Sequence, residues 1–167
     1  MSIARRTALL SGANLLLGGG LVALAWSRAG AATPSTPEHF EVAMSDDQWK
    51  AKLSPQAYAV LRREATETPF TSPLNSEHRK GTFTCAGCAL ALFSSDTKFD
   101  SGTGWPSFFR PLPGAVAQRV DTTLGMTRDE VHCHRCGGHL GHVFDDGPKP
   151  TGLRYCMNGV AMAFTPA

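Results

Sequence analysis

Cys85-Ala86-Gly87-Cys88 and Cys133-His134-Arg135-Cys136 are two C-x-x-C pairs in a chain of 167 residues, with 44 residues between them. A C-x-x-C turn can aim two thiolates at one point, and a structural zinc ion takes four such ligands as a tetrahedron. Two local disulfides are the alternative, but the small rings that they would close are strained and redox-active. The spacing therefore favours a structural zinc site that ties two distant parts of the chain together. Its ligands would be Cys85, Cys88, Cys133 and Cys136.

Two histidines flank Cys133 and are the other candidate ligands. With four cysteines available, we expect His132 and His134 to lie at the surface. Four protein ligands also fill the coordination sphere of zinc and leave no position for a water molecule. The pattern therefore excludes zinc-dependent hydrolysis as the function.

The composition indicates one globular domain that is rich in turns. Hydrophobic residues make up 42% of the chain and charged residues 18%, with 17 glycines and 11 prolines. This composition favours short strands and loops over a helical bundle. Three arginines lie in an N-terminal segment without acidic residues, and the remaining 13 basic residues are balanced by 14 acidic ones. No basic stripe follows, so nucleic-acid binding is not expected.

The first 32 residues have the pattern of an export signal. Arg5-Arg6 precedes an apolar stretch from Ala8 to Trp26, and Ala29-Gly30-Ala31 fits a signal cleavage site. The arginine pair is typical of the twin-arginine route. An uncleaved membrane anchor is the alternative, because the apolar stretch is about long enough to span a bilayer. We expect export to the bacterial periplasm or exterior, a linker over residues 33–44 and one domain over residues 45–167.

Local signals predict two short helices followed by strands. Ser45 and Gln48 form a capping-box pattern, which predicts a helix from Asp46 to about Lys52. Ser54-Pro55 predicts a second helix that ends near Glu64. Short runs bounded by Gly, Pro, Asp or Ser predict strands at Gly81–Cys85, Leu90–Phe93, Ala115–Val120, Gly141–Phe144 and Val160–Phe164. We therefore expect a mainly β, antiparallel domain behind a short N-terminal helical segment.

Cys156 is the fifth cysteine and has no C-x-x-C partner. Arg154 precedes it by two residues, and nearby positive charge favours a reactive thiolate. Upstream lie His139 and His142, which point to opposite faces of a regular strand and meet at one site only if Gly141 breaks the alternation. From these residues alone, a buried core cysteine and ordinary core or surface histidines remain open interpretations.

Several segments together resemble one family, methionine sulfoxide reductase B. They are Gly104-Trp-Pro-Ser-Phe108, His139-Leu-Gly-His-Val-Phe144, Pro150–Asn158 and the paired C-x-x-C motifs. The likeness extends from about Trp49 to Phe164. It implies two antiparallel β-sheets with a zinc clip far from the active site. It also implies reduction of the R epimer of methionine sulfoxide, either free or within oxidised proteins.

The resemblance further implies which residues carry the reaction. Cys156 would attack the sulfoxide sulfur as a thiolate and become a sulfenic acid. His142, with His139 close by, would supply or steer the proton that the sulfoxide oxygen needs. Asn158 would hold or polarise the sulfoxide, while Trp105 would pack against the S-methyl group of the substrate.

Two further positions bear on how the thiol is activated and recycled. Arg154 would help to keep Cys156 ionised. Many family members carry a resolving cysteine in a Gly-Cys-Gly-Trp-Pro-Ser segment, and Thr103 stands at that position here. The usual internal disulfide cannot form there. We therefore expect recycling by an external reductant, either a thioredoxin-like protein or a small thiol.

A non-catalytic binding module of the zinc-ribbon kind is the alternative function. In such a module Cys156 would be a core residue and Trp105 an aromatic docking residue. Fast alkylation of Cys156 in the zinc-loaded protein distinguishes the enzyme from this module. We expect a monomer with a structural zinc ion.

Overall fold

The structure, a computed structural model, describes residues 38–167. The predicted export signal and residues 33–37 of the predicted linker lie outside the described residues, so both remain predictions. Residues 38–44 pack on the domain, where Val42 N donates a hydrogen bond to Arg135 O at 3.0 Å. Val42 and Met44 also contact the core. Within residues 38–167, no helix has the length and apolar character that crossing a membrane requires.

Two α-helices open the described part of the chain, at Asp46–Lys52 (α1) and Pro55–Arg63 (α2). Both begin and end where the sequence predicts. Ser45 and Gln48 exchange side-chain-to-backbone hydrogen bonds of 2.8 and 3.3 Å, which completes the capping box of α1. Ser54 caps α2 ahead of the proline in its first turn, and the left-handed conformation of Glu64 ends it.

The β-strands that follow form two antiparallel sheets. They are Gly81–Cys85 (β1), Ala91–Ser94 (β2), Lys98–Phe99 (β3), Ser107–Phe108 (β4), Val116–Asp121 (β5), Arg128–Cys133 (β6), His139–Phe144 (β7), Arg154–Met157 (β8) and Met162–Pro166 (β9). Sheet A has the strand order β2-β1-β9, and sheet B has the order β3-β4-β8-β7-β6-β5. This architecture confirms the predicted fold class, which is mainly β with two antiparallel sheets and a short helical segment in front.

The five predicted strands correspond to β1, β2, β5, β7 and β9, with ends shifted by two residues or fewer. The last prediction begins too early because Gly159–Ala161 form a 3-10 turn before the strand starts. The other four strands, β3, β4, β6 and β8, were not expected. Two of them have only two residues, and β6 and β8 carry charged side chains whose partners come from other parts of the chain, Arg119 of β5 for Glu130 and Asp146 of the β7–β8 loop for Arg154.

Aromatic side chains join the two sheets. Phe83 of β1 and Phe93 of β2 both pack on Phe108 of β4, with ring centroids 4.9 and 4.3 Å apart. All three residues are fully buried. Aromatic pairs of this kind contribute about 0.5–1.5 kcal/mol each beyond the area that they bury. The contact holds the short strand β4 firmly against sheet A.

A row of polar residues crosses sheet B on one face. The strand register pairs Ser107 with Cys156, Cys156 with His142, His142 with Glu130, and Glu130 with Arg119. Residues directly opposite one another on antiparallel strands project from the same face. We call these five residues the sheet-B row. The row places a thiol, an imidazole, a carboxylate and a guanidinium side by side.

Candidate active site and metal cluster

Cys156 lies on β8 beside a group of hydroxyls. Its Sγ is partly exposed and lies 3.7 Å from Thr103 Oγ1. The Ser101 hydroxyl links Thr103 and Ser107 through hydrogen bonds of 2.8 and 2.7 Å. Thr103 therefore occupies the position from which a second thiol would reach Cys156. The structure places a hydroxyl there.

A bulge in β7 brings both predicted histidines to the sheet-B row. The register of β6 and β7 shifts between Val131 and His132, which leaves Leu140 as the extra residue. The rings of His139 and His142 consequently face the same side, with centroids 5.3 Å apart. The alternation that would put the two histidines on opposite faces is therefore broken at Leu140, next to Gly141.

Gly141 also lets β7 approach β8 closely behind the thiol. A Cβ atom at this position would lie 2.1 Å from the carbonyl oxygen of Cys156 and 3.0 Å from Cα of Met157. No side chain fits in that space. The glycine thus sets the spacing between the strand that carries the histidines and the strand that carries Cys156.

His142 is held by a carboxylate from the neighbouring hairpin. Its Nε2 lies 2.8 Å from Asp121 Oδ2, and Arg128 binds the same oxygen at 2.6 Å. Burial lowers the pKa of His142, although the hydrogen bond with Asp121 opposes that effect. Hydrogen bonds with Thr123, and further with His142 and Arg128, hold the pKa of Asp121 well below its usual range. The ionised carboxylate leaves Nδ1 as the unbound nitrogen of His142.

His139 has a carboxylate partner of its own. Its Nδ1 lies 2.7 Å from Glu130 Oε1, and both side chains are almost fully buried. Arg119 binds the same carboxylate from β5 and also reaches Glu64 at 2.5 Å. Nε2 of His139 is buried and has no hydrogen-bond partner within residues 38–167. A cavity of about 230 Å³ borders both histidines.

Trp105 and Asn158 are both fastened to Glu67. The indole Nε1 of Trp105 donates to Glu67 O at 3.1 Å, and Glu67 N donates to Asn158 Oδ1 at 2.9 Å. Asn158 is buried and also donates to Leu140 O at 3.1 Å, which leaves one amide hydrogen unassigned. Trp105 is partly exposed and borders a cavity of about 240 Å³. The same loop thus orients both residues that the sequence predicts to contact substrate.

Arg154 is two residues from Cys156 on the same strand, so both side chains project from one face. Its guanidinium makes two hydrogen bonds of 2.8 Å to Asp146 and lies over the ring of Phe144. The bond with Asp146, and further the nearby Cys156, raise the pKa of Arg154. The structure brings Arg154 close to the thiol, as the sequence predicts, but its main partner is Asp146.

The four C-x-x-C cysteines converge at the other end of sheet B. Their sulfur atoms all lie within 4.8 Å of one another, with Cys85 to Cys136 at 3.7 Å and Cys88 to Cys133 at 3.5 Å. Four sulfurs arranged as a tetrahedron around zinc, each about 2.3 Å from it, are separated by about 3.8 Å. All five cysteines of the chain are free thiols. The cluster therefore has the dimensions of a tetrahedral metal site.

The chemistry of the cluster also fits a cation. Hydrogen bonds among the thiols, foremost with Cys133, raise the pKa of Cys85 and lower the pKa of Cys88. Four thiols this close together cannot all ionise unless a positive charge balances them. A bound metal ion supplies that charge and deprotonates its ligands.

The cluster joins the two sheets, because Cys85 ends β1 and Cys133 ends β6. His134 is exposed, as expected, but His132 is fully buried, so its predicted surface position is wrong. The reason is local packing. The ring of His132 lies edge-on to Phe40 at 5.9 Å, and its Nε2 is 3.2 Å from Glu38, both in the segment before α1.

Comparison with known proteins adds a family to this geometry. The chain matches the model of the SelR domain over residues 53–166. It is 52% identical over 127 residues to the peptide methionine sulfoxide reductase MsrB of Leptospira interrogans, an alignment that covers 75% of this chain and 97% of that protein. The chain belongs to the MsrB family. The MsrB of Agrobacterium fabrum is 55% identical over 127 residues, which covers 75% and 94%. The MsrB of Methanosarcina mazei is 52% identical over 126 residues, which covers 75% and 90%.

Membership of the MsrB family confirms the resemblance seen in the sequence, and the matched range contains all of the predicted site residues. Their individual roles stay predictions. The sequence analysis missed the two carboxylates that hold the histidines, Asp121 and Glu130. The alternation in Arg128-Asp-Glu-Val-His-Cys133 is a strand signal that could have revealed Glu130, since it puts a lone acid on the same face as His132.

Proposed function

We propose that this protein reduces methionine R-sulfoxide, free or within oxidised proteins, to methionine, with Cys156 as the nucleophile. The observation that carries the proposal is the register of sheet B, which sets a partly exposed thiol directly opposite His142. The names and the identity of the MsrB relatives support the same reaction.

The reaction balances with one thiolate and one proton. The Cys156 thiolate attacks the sulfoxide sulfur and forms a sulfur–sulfur bond, while the oxygen takes up one proton and leaves as hydroxide. The hydroxide then attacks the sulfur of Cys156, which breaks the sulfur–sulfur bond and releases methionine. The substrate gains two electrons and becomes methionine, while the cysteine loses two and becomes a sulfenic acid. Because the oxygen must be protonated, the site needs an acid beside the thiol.

His142 is the proposed acid, with His139 beside it. Asp121 occupies Nε2 of His142, so Nδ1 is the nitrogen that remains for the substrate. Trp105, fixed through its indole N–H, would pack against the S-methyl group, and Asn158 would use its remaining amide hydrogen to hold the sulfoxide. Arg154 would favour the thiolate of Cys156 by its charge.

Recycling would use a thiol from outside the chain. Thr103 lies 3.7 Å from the sulfur of Cys156 and cannot form a disulfide. The other four cysteines are committed to the cluster, and coordinated thiolates are poor partners for exchange. A thioredoxin-like protein or a small thiol would therefore reduce the sulfenic acid.

The four-cysteine cluster is proposed to hold a structural zinc ion. Thiolate ligands in a closed tetrahedral set are typical of structural zinc, and they leave no open position for catalysis. The ion would fasten β1 to the β6–β7 connection, which leads directly to His139. We further propose that the protein acts as a monomer and is exported to the bacterial periplasm. Export is supported by the Arg5-Arg6 pair, the apolar stretch that follows it and the cleavage pattern at Ala29-Gly30-Ala31.

The test is an assay of the purified protein with each epimer of methionine sulfoxide and dithiothreitol as reductant. Turnover of the R epimer is expected, with little or none of the S epimer. Alkylation of the zinc-loaded protein, followed by mass spectrometry, should label Cys156 first. Absence of turnover together with a slowly alkylated Cys156 would favour the alternative, a non-catalytic zinc-ribbon-like binding module.

A further inference from the structure

Glu130 is a buried carboxylate for which the proposed reaction has no role. Its side chain is 4% exposed, and a carboxylate in such a place is costly unless it is paired. Two groups pair with it. His139 Nδ1 lies 2.7 Å from Oε1, and the guanidinium of Arg119 reaches both carboxylate oxygens from β5.

The charge of Glu130 decides which nitrogen of His139 carries a hydrogen. Burial alone would raise the pKa of Glu130, but hydrogen bonds from His139 and Arg119 outweigh it, so the pKa is lowered. The carboxylate is therefore ionised and can only accept hydrogen bonds. His139 must donate from Nδ1, which leaves Nε2 as the nitrogen without a partner.

Nε2 of His139 is both buried and unpaired, and such atoms are few in folded proteins. The β7 bulge sets this ring against His142, on the row that contains Cys156. A sulfoxide oxygen that reacts at Cys156 would arrive beside the two rings. When His139 is protonated on both nitrogens, that oxygen can accept the hydrogen bond that Nε2 then donates.

We propose that Glu130 is a positioning residue for the sulfoxide reduction described above, on which this inference rests. It fixes the hydrogen of His139 on Nδ1 and stabilises the protonated state of the histidine pair, from which the sulfoxide oxygen takes its proton. Arg119 shares the same carboxylate and so weakens that stabilisation. Neither residue needs to touch the substrate, since both act through His139.

Other charged and titratable groups also face the histidine pair. They are Asp121 and Arg128 next to His142, Arg63 and Glu64 at the end of α2, His132 on β6 and Cys156 on β8. A useful variant therefore changes a charge that acts on the histidine pair through His139 and leaves these other groups in place. Glu130→Gln removes the negative charge, and Arg119→Met removes the positive charge that opposes it.

The experiment measures the rate of a single turnover without reductant across a pH series. For Glu130→Gln we expect a rate about tenfold lower and a falling alkaline limb displaced by about one pH unit to lower pH, because the carboxylate no longer stabilises positive charge on the histidine pair. For Arg119→Met the limb should move to higher pH, because the carboxylate then acts on His139 without competition.

Glu64→Gln is the matched control. Glu64 also binds Arg119, at 2.5 Å, and borders the same cavity, but among the described residues its hydrogen-bond partner is Arg119 and not His139. The alkaline limb of Glu64→Gln should therefore move less than that of Glu130→Gln. A limb unchanged in Glu130→Gln, or displaced in the same direction by Glu130→Gln and Arg119→Met, would overturn the proposal. If Glu130→Gln does not fold, Arg119→Met becomes the test of the proposal, because the Arg119 side chain is 47% exposed and contributes little to the core. An alkaline limb that does not move in Arg119→Met also overturns the proposal.

A second measurement needs no substrate. Nitrogen-15 chemical shifts of the His139 ring in the resting protein should show hydrogen on Nδ1, and Glu130→Gln should reduce that form. Hydrogen on Nε2 alone in the wild type would overturn the role of Glu130. If the wild type does not reduce the R epimer, the proposed function fails, whereas the ring-nitrogen result still stands or falls independently.

Discussion

Two regions of the molecule hold cysteines in opposite settings. In the metal cluster, four thiols lie within 4.8 Å of one another, and three of the four are buried. Cys156 is partly exposed, and its neighbours across the sheet are a serine and a histidine. Thiols clustered in this way are suited to binding a metal ion, whereas a single thiol beside an imidazole and hydroxyls is suited to nucleophilic attack. The neighbours set by strand register decide which chemistry the same side chain performs.

The largest expected effect comes from removing the isolated thiol. Cys156→Ser should abolish reduction of the R epimer, because a serine hydroxyl is not ionised and cannot replace the attacking thiolate. Metal content and melting temperature should stay at the wild-type level, since Cys156 lies outside the cluster. Steady-state assay, metal analysis and thermal melting check the three parts. Residual turnover in this variant would show that another group attacks the sulfoxide.

Removing one thiol of the cluster should reduce metal content and stability and should affect the reaction only through the fold. Cys133→Ser should lose bound zinc and melt at a lower temperature, because the binding free energy of a structural metal is part of the folding free energy. Activity should fall only as far as the fold is lost. Metal analysis and calorimetry, with Cys156→Ser as the control at equal protein concentration, give the comparison. Retention of a full equivalent of zinc by Cys133→Ser would contradict the proposed set of four cysteine ligands.

Replacing the histidine that faces Cys156 should slow the reaction strongly, although less than the loss of the thiol does. His142→Ala should slow the chemical step by about 10²–10⁴-fold, the usual loss for a positioned acid. Burial lowers the pKa of His142 below its usual value of 6.5, so the rate of the wild type should fall as pH rises through that lowered value. Single-turnover rates across a pH series test both statements.

Asp121→Asn sharpens the same comparison. The hydrogen bond with Asp121 raises the pKa of His142 against the effect of burial, so its loss should move the falling limb to still lower pH. Asp146→Asn is the control, because that carboxylate binds Arg154 and not the histidines. A limb that moves equally in both variants would mean that bulk charge, and not the Asp121 contact, sets the pH dependence.

The smallest expected effect is on recycling. Thr103→Cys should form a disulfide with Cys156 after one turnover, because the two side chains already meet at 3.7 Å. Thioredoxin-dependent turnover should then rise, while the rate of the first half-reaction stays the same. Thr103→Ser keeps a hydroxyl and serves as control. An intact mass without the loss of two hydrogens in Thr103→Cys would contradict the geometry.

Local signals in the sequence were enough for the helices and for the metal cluster. The caps at Ser45 and Ser54 act within three residues, so they can be recognised from the local sequence. The paired C-x-x-C spacing by itself indicates a metal site. The fold class followed from many short runs between turn residues. The family resemblance added the sheets and the candidate catalytic residues, whose roles remain to be tested.

Contacts that depend on strand register could not be predicted from single segments. Glu130 is an ordinary surface acid by composition, and only its pairing with Arg119 and His139 from two neighbouring strands permits its burial. The same applies to Asp121, which meets His142 from 21 residues away. For the two histidines, the sequence indicated only the condition under which they meet, a break in alternation at Gly141. The bulge that brings them together lies at the neighbouring Leu140.

The position of the cluster in the chain has a kinetic consequence. Its outermost ligands, Cys85 and Cys136, are 51 residues apart, and the loop that they close contains Thr103 and Trp105 but not Cys156. Closing a loop of that length costs about 3.5 kcal/mol in chain entropy, by the usual logarithmic dependence on length. The metal ion proposed for the cluster would offset this cost at a single point. Refolding should therefore slow sharply under chelation, and the order of assembly would run from the loop to the final strand that completes the thiol site.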